Sequence, residues 1–123
     1  MVRGVGIDSA SVSATARMVE AMGDDYVTHV FGPAELAGKP APDAEYLTGR
    51  LAVKEAAFKA LAHLTSERTF DMRIVETVDA EDGHPVIVPT EGLLEVMRKA
   101  GVTSLFVSIT TEGDISTAIV VAE

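Results

Sequence analysis

The sequence predicts an α+β fold with a mostly antiparallel sheet and a long central helix. Three observations support this prediction. The longest run with helical character covers residues 44–64, segments rich in β-branched residues lie on both sides of it, and two strand-like segments near the end of the chain flank the turn Thr-Glu-Gly-Asp. Because 123 residues suit one domain, we expect a single domain over residues 1–123.

The first third of the chain is predicted to hold a strand, a helix and a short helical turn. Residues 2–8 read as a short strand, and apolar residues then recur at helical spacing as far as Met22. Serines between these two segments can cap the helix, and Gly23 is a typical residue to end it. A helical turn is expected after Pro33, and Asp43 can cap the long helix that follows.

The second half of the chain is predicted to hold two strands, a helix and a hairpin. Residues 72–79 have the β-branched content of a strand, and residues 80–89 read as a turn leading into another strand. Residues 90–100 form an amphipathic pattern that stops at Gly101. The last two strands are expected to pair as a hairpin whose Gly113 takes a positive φ.

Composition excludes several classes of function. The net charge is −9, from 19 acidic and 10 basic residues, and a protein that binds a nucleic-acid backbone usually needs a positive surface. The chain has no cysteine, so disulfides and thiolate metal sites are excluded. No apolar run approaches the roughly 20 residues that span a bilayer, and the N-terminus lacks the features of a signal peptide. We expect a cytoplasmic protein that binds neither nucleic acid nor membranes.

The long helix combines two apolar faces with four charges. On a helical wheel, one face carries Leu47, Leu51, Phe58 and Leu61, and the other carries Ala52, Val53, Ala56, Ala57 and Ala60. Arg50 and Lys54 fall in one gap between these faces, one turn apart, and Glu55 and Lys59 fall in the opposite gap. Such a helix leaves little freely solvated surface, so each charge needs a partner or a ligand.

Two interpretations of these charges remain open from the residues alone. Glu55 and Lys59 can form an ordinary i,i+4 pair while the other cations extend over apolar surface. Alternatively, the cations and a carboxylate can meet a phosphorylated ligand and a divalent metal. Asp8, which ends "GVGID", offers a second carboxylate, although an Asp before a helix is ordinarily a cap. One or two carboxylates suffice for Mg²⁺.

The chain resembles a known family. "GVGID", "LTGRLAVKEAAFKAL", "DGHP" and "FVSIT" occur in the order seen in holo-acyl-carrier-protein synthases, which are short, single-domain 4′-phosphopantetheinyl transferases. The resemblance covers essentially the whole chain. It implies a trimer with active sites between subunits, and Mg²⁺-dependent transfer of 4′-phosphopantetheine from coenzyme A to a serine of an apo acyl carrier protein. Adenosine 3′,5′-bisphosphate is released, and the reaction serves fatty acid biosynthesis.

The resemblance also implies roles for individual residues. Asp8 and Glu55 match the magnesium ligands, and Lys59 matches the lysine near the transferred phosphate, so that Glu55 and Lys59 are the expected catalytic residues. The positions that match the coenzyme A site are Arg50, Lys54, Gly83 and Pro85. Gly83 and Pro85 belong to the turn that borders the nucleotide.

Three departures from the family pattern stand out. Phe106 occupies a position in the penultimate strand where the family usually has His, and Thr111 follows where His or Asp is common. Ala62 and His63 replace the usual glycine-containing continuation of the long helix. The first helix offers only Arg17 to an acidic carrier protein. These departures leave an alternative function open, in which a catalytically impaired relative acts as a coenzyme-A-binding or trimeric interaction module.

Overall fold

The computed structural model describes residues 1–66 and 70–123. Its helices and strands follow one another in this order: β1 Gly4–Ser11, α1 Val12–Met22, α2 Asp24–Val30, α3 Pro33–Gly38, α4 Ala44–Leu61, β2 Glu76–Asp79, β3 Pro85–Val88, α5 Glu91–Ala100, β4 Leu105–Glu112 and β5 Ile115–Ala122. Short 3-10 turns cover Ala62–Leu64 and Met72–Ile74. In the part of the chain so described, no helix is both long and apolar enough to span a bilayer.

The strands form two antiparallel sheets, which confirms the predicted α+β class. One sheet has three strands in the order β1-β5-β4, and the other pairs β2 with β3. The predicted C-terminal hairpin is present, and Gly113 at its turn has a φ of 59°. The chain's final strand, β5, therefore lies in the middle of the larger sheet, where it separates β1 from β4.

The alanine face of α4 packs directly against β1. A Cβ at Gly6 would lie 1.8 Å from the carbonyl oxygen of Ala56, and a Cβ at Gly4 would lie 2.1 Å from that of Ala60. Only glycine permits so close an approach of two backbones. All five small residues of this face are buried, as the helical wheel predicts.

The outer face of the three-stranded sheet is apolar and exposed. Val5 pairs with Val121, which in turn pairs with Phe106, and Ile7 pairs with Ile119 in the next row. Side chains alternate along a strand, so these residues point away from α4. Phe106 has 56% of its surface exposed, and Ile7 has 58%. The sheet thus presents an unusually apolar surface to its surroundings.

Several predicted boundaries differ from the structure. β1 continues to Ser11, which is itself the N-cap of α1, so Asp8 lies within the strand and is not a helix cap. Residues 72–74 were expected to be strand but form a 3-10 turn, because Asp71 accepts a hydrogen bond from the backbone of Arg73 and so fixes a turn there. The predictions also omitted α2, whose seven residues are too few to establish an apolar period.

Candidate active site

Asp8 and Lys59 meet where β1 crosses α4. The ammonium of Lys59 lies 3.0 Å from Oδ1 of Asp8 and donates a second hydrogen bond, also of 3.0 Å, to the carbonyl of Ile7. The side chain of Lys59 is 52% exposed and that of Asp8 is 20% exposed. The pair therefore stands at the surface, where a ligand can reach it.

Glu55 is the third residue predicted for this site. It precedes Lys59 by one helical turn and so faces the same side of α4. β1 runs antiparallel to this helix, since Gly4 lies over Ala60 and Gly6 lies over Ala56. Continuing by two residues along β1 brings Asp8 level with the turn of α4 that contains Glu55. Among the described residues, the structure pairs Asp8 with Lys59, and no hydrogen bond or ion pair joins Glu55 to either of them, so the place of Glu55 in this site stays a prediction.

Arg50 faces a different part of the molecule. Its Nη2 atom lies 2.8 Å from Oδ1 of Asp79, the last residue of β2, and its guanidinium stacks 4.3 Å from the ring centre of Tyr46. The residue is only 7% exposed. Its Nε has no hydrogen-bond partner among the described residues, which is uncommon for a buried donor. Arg50 therefore joins α4 to the end of β2.

Lys54 lies in the protein core. Its ammonium donates to Oε1 of Glu35 at 2.6 Å and to the carbonyls of Met72 and Val75 at 3.0 and 2.6 Å. These three acceptors use all three hydrogens of the ammonium. Burial lowers the pKa of Lys54, while the charge and hydrogen bond of Glu35 oppose that shift. With no exposed surface, Lys54 does not join Asp8, Glu55 and Lys59, and its position does not support the expected contact with coenzyme A.

Glu35 and Glu76 complete the surroundings of Lys54. Oε1 of Glu35 also accepts from the amide of Gly32 at 3.1 Å, and Oε2 accepts from the amide of Thr77 at 3.1 Å. Glu76 accepts from the amide of Ala34 at 2.6 Å, at the start of α3. Sequence reasoning missed this network. The available signals were a Glu three residues after Gly32, typical of a capping box, and a lysine beside an apolar stripe that needs a buried partner.

The turn containing Gly83 connects β2 to β3. Gly83 has a φ of 92°, and its amide donates to the carbonyl of Ala80 at 2.8 Å. His84 contacts Asp82 through Nδ1, and the hydrogen bonds from its backbone and ring hold the pKa of Asp82 below its usual value. Pro85 begins β3 and, together with Phe106 on β4, lines a surface pocket of about 250 Å³.

The structure separates this turn from Asp8 and Lys59. Asp8 lies on β1 at one edge of the three-stranded sheet, whereas Gly83 and Pro85 lie beyond β4 at the opposite edge. Strands in a sheet are about 4.8 Å apart, so β4 already lies roughly 10 Å from β1 and the turn lies farther away. Within one protomer, the predicted site residues therefore form two separate groups.

Comparison with known proteins identifies the family. The family model described as the 4′-phosphopantetheinyl transferase superfamily matches residues 4–117. The holo-[acyl-carrier-protein] synthase of Desulfovibrio desulfuricans is 34% identical over 123 residues, covering 100% of this chain and 98% of that protein. The crystal structure of the Neisseria meningitidis holo-[acyl-carrier-protein] synthase has a TM-score of 0.89 at 28% identity, covering 100% of this chain and 99% of its own.

The same fold occurs in a more distant protein. The Helicobacter pylori holo-[acyl-carrier-protein] synthase, solved in complex with coenzyme A, has a TM-score of 0.82 at 21% identity, covering 97% of this chain and 99% of that one. At this identity the likeness concerns the fold alone. The family match over nearly the whole chain is the stronger finding, and it agrees with the shared architecture. The chain belongs to the 4′-phosphopantetheinyl transferase superfamily.

Proposed function

We propose that this protein is a holo-[acyl-carrier-protein] synthase that transfers 4′-phosphopantetheine from coenzyme A to a serine of an apo acyl carrier protein. The observation that supports the proposal is the accessible pair of Asp8 and Lys59, with Glu55 one helical turn before Lys59, in a chain of this family. Lys59 suits a pyrophosphate substrate, because phosphoryl transfer depends on positioning and on neutralising negative charge. The two carboxylates suit a divalent metal that would do the same.

The proposed reaction exchanges one phosphorus–oxygen bond for another. The serine oxygen attacks the phosphorus that carries the pantetheine arm, and the bond from that phosphorus to the bridging oxygen of the pyrophosphate breaks. The serine proton passes to a base, and adenosine 3′,5′-bisphosphate leaves with the bridging oxygen. Lys59 would stabilise the charge that builds on the phosphate oxygens, since its ammonium is half-exposed and already beside Asp8.

The carboxylates of Asp8 and Glu55 fit a magnesium site. Both are partly buried, Asp8 on β1 and Glu55 on α4. Mg²⁺ commonly takes one or two protein carboxylates and completes its shell with phosphate oxygens and water. Residues 1–66 and 70–123 contain no group of three or more side chains suited to hold a metal, so substrate oxygens would supply the remaining ligands. When bound, Mg²⁺ would neutralise part of the pyrophosphate charge.

Coenzyme A would be held by residues outside this group. Arg50 keeps a little exposed surface beside Asp79, and Gly83 and Pro85 form an accessible turn next to an apolar pocket, so these three remain our proposed contacts. Lys54 has no surface for such a contact. A single domain and a cytoplasmic location, both expected from the sequence, belong to this proposal as well.

We extend the proposal to a trimer with active sites between subunits. The exposed apolar face around Ile7, Phe106 and Ile119 needs to be covered, and a second copy of the chain offers a matching surface. A site between subunits would also bring the carboxylates of one copy opposite the Gly83–Pro85 turn of its neighbour. This arrangement would unite the two groups that lie apart in a single protomer.

Intact mass measurement tests the proposed reaction. The purified protein is incubated with coenzyme A, Mg²⁺ and several apo carrier proteins, in parallel with the variant Glu55→Ala. We expect a carrier to gain the mass of one phosphopantetheine, and we expect the gain to disappear with a chelator and with Glu55→Ala. The matched control is Glu45→Ala, which removes an exposed glutamate from the first turn of the same helix and should leave the gain intact.

One observation favours the alternative of a catalytically impaired relative. Phe106 lines the pocket beside Pro85, where the family's usual histidine could donate a hydrogen bond and a phenyl ring cannot. Binding of coenzyme A without a mass gain on any carrier would support this alternative. A mass gain would show that transfer proceeds without that imidazole.

A further inference from the structure

We propose that Lys54 is a positioning residue, whose buried pair with Glu35 holds the β2–β3 hairpin in place against α4. The hairpin carries the Gly83–Pro85 turn, so the pair would set where that turn stands relative to the rest of the coenzyme A site. The importance of the turn for catalysis rests on the function proposed above. The role of the pair in holding the hairpin does not depend on that function, because it follows from contacts in the protein core.

The first step in the argument is that Lys54 has no capacity left for a ligand. It is completely buried, as is Glu35, and its ammonium already has three acceptors. A buried ammonium needs this full set of partners, because each one missing would leave a costly unpaired donor. A ligand could bind Lys54 only by displacing one of them.

The second step is where those acceptors lie along the chain. The carbonyl of Val75, which immediately precedes β2, accepts a hydrogen bond from Lys54. The amide of Thr77, the second residue of β2, donates one to Glu35. The ion pair therefore holds the backbone on both sides of Glu76, the first residue of β2. Unlike an apolar contact, such bonds fix direction as well as distance.

The third step concerns the other end of the same strand. Arg50 lies one turn before Lys54 on α4 and binds Asp79, the last residue of β2. Two cations one helical turn apart thus hold the two ends of a four-residue strand. The Gly83 turn follows four residues after Asp79, so its position depends on both attachments. A small shift of a binding element can reduce turnover by about 100-fold.

A double-mutant cycle tests this role. The variants are Lys54→Met, Glu35→Gln and the combination of both, with Lys39→Met as a matched control for the loss of an exposed lysine. Amide hydrogen exchange in β2 and β3 is measured first, because it reports the attachment whether or not the protein is an enzyme. The dissociation constant of coenzyme A and the kcat and KM of carrier modification are measured next.

We expect Lys54→Met to speed exchange in β2 and β3 and to weaken coenzyme A binding by about tenfold or more, because the displaced hairpin would misplace the Gly83–Pro85 turn. Adding Glu35→Gln should recover only part of both properties, because it removes the carboxylate left without its cation and can still accept from the amide of Thr77, while the bond from Lys54 to Val75 stays lost. Lys39→Met should change neither. If Lys54→Met does not fold, the double variant alone decides, and positioning predicts faster exchange in β2 and β3 together with weaker coenzyme A binding.

A ligand role for Lys54 would give a different pattern. Coenzyme A binding would then be lost equally in Lys54→Met and in the double variant, with hydrogen exchange in the hairpin unchanged, and this result would overturn the proposal. Absence of carrier modification by the unchanged protein would count against the proposed function only. The exchange measurements would still decide whether the Lys54–Glu35 pair holds the hairpin.

Discussion

Lys54 and Lys59 lie five positions apart on α4, yet their surroundings are opposite. Lys54 is enclosed by Glu35 and two backbone carbonyls, whereas Lys59 lies at the surface beside Asp8. Five positions correspond to a rotation of about 140°, which carries the second lysine to the far side of the helix. Of two lysines that look alike in the sequence, only Lys59 can meet a substrate.

Asp114 provides a prediction at the scale of one carboxylate. Hydrogen bonds from the hydroxyls of Ser11 and Ser13, and from the amide of Ser13, lower the pKa of Asp114. A carboxyl with a lowered pKa stabilises the folded state above its unfolded pKa of about 3.9, and this contribution is lost as pH falls through the folded value. Asp114→Asn should therefore be less stable than the unchanged protein at pH 7.

The difference in unfolding free energy between Asp114→Asn and the unchanged protein should narrow below about pH 4, where the carboxyl of the unfolded chain begins to be protonated. Urea unfolding at pH 7 and at pH 3 measures this difference in unfolding free energy. Glu112→Gln serves as the control, because it removes one negative charge from the same hairpin at an exposed position. An equal loss of stability at both pH values in Asp114→Asn would contradict the prediction.

The sequence carried enough information to select Asp8 and Lys59, which the structure places 3.0 Å apart, whereas the role of Glu55 stays a prediction. Charges on a helix with two apolar faces need partners, and the family resemblance supplied the link to a distant Asp8. Glu35 could not be selected in this way, since it lies 19 positions before Lys54 in a six-residue helix. Which acid reaches a buried lysine depends on how α3 packs, and no local pattern contains that information.

At the scale of elements, the packing of β1 on α4 leads to a second prediction. Gly6→Ala should strongly destabilise the protein, because the new methyl group would overlap the carbonyl of Ala56 and backbone cannot easily give way. Gly49→Ala on α4 is the matched control. Its Cβ would lie 3.5 Å from Ile109, an ordinary contact, and a helix interior favours Ala over Gly by about 1 kcal/mol.

Thermal unfolding compares the melting temperatures of Gly6→Ala and Gly49→Ala with that of the unchanged protein. We expect a large fall in melting temperature for Gly6→Ala and an unchanged or higher one for Gly49→Ala. A normal melting temperature for Gly6→Ala would mean that β1 does not lie directly on the helix backbone. The comparison uses the same substitution in both elements, so intrinsic effects of adding a methyl group are separated from the clash.

Elements with a strong local sequence pattern were predicted well. Elements whose bounds depend on adjacent parts of the chain were predicted poorly. α4 and α5 have clear caps and long apolar runs, and the structure has them within a few residues of the predicted bounds. α2 was missed because it is short and begins directly after Gly23. β2 is shorter than predicted because Asp71 turns the chain before Glu76, although the β-branched content continues through that turn.

The apolar sheet face gives a prediction for the whole molecule. Ile119→Glu should convert the proposed trimer into a monomer, because each interface would have to bury a carboxylate without a cation. Leu94→Glu, an exposed apolar residue on α5, is the control and should leave the assembly unchanged. Sedimentation velocity measures the oligomeric state of both variants. If the Ile119 variant sediments like the unchanged protein, this face does not form the interface.

The net charge predicts an unusual response to salt. A protein of charge −9 with only Arg17 on its first helix should repel an acidic carrier protein. Salt screens repulsion as it screens attraction, so the KM for the carrier should fall as salt increases from about 20 to 200 mM. Steady-state kinetics over this range test whether the KM for the carrier falls or rises with salt. A KM that rises with salt would mean that attractive pairs dominate the encounter.

The central place of β5 has a consequence for synthesis on the ribosome. β1 and β4 both pair with β5, and Gly4 finds its partner only at Ala122. Neither neighbour can complete the three-stranded sheet until Ile115–Ala122 has emerged, and such distant pairing is slow. During elongation the alanine face of α4 lacks its covering sheet. We therefore expect the three-stranded sheet to form only after β5 has left the ribosome, and the growing chain to expose the apolar face of α4 until then.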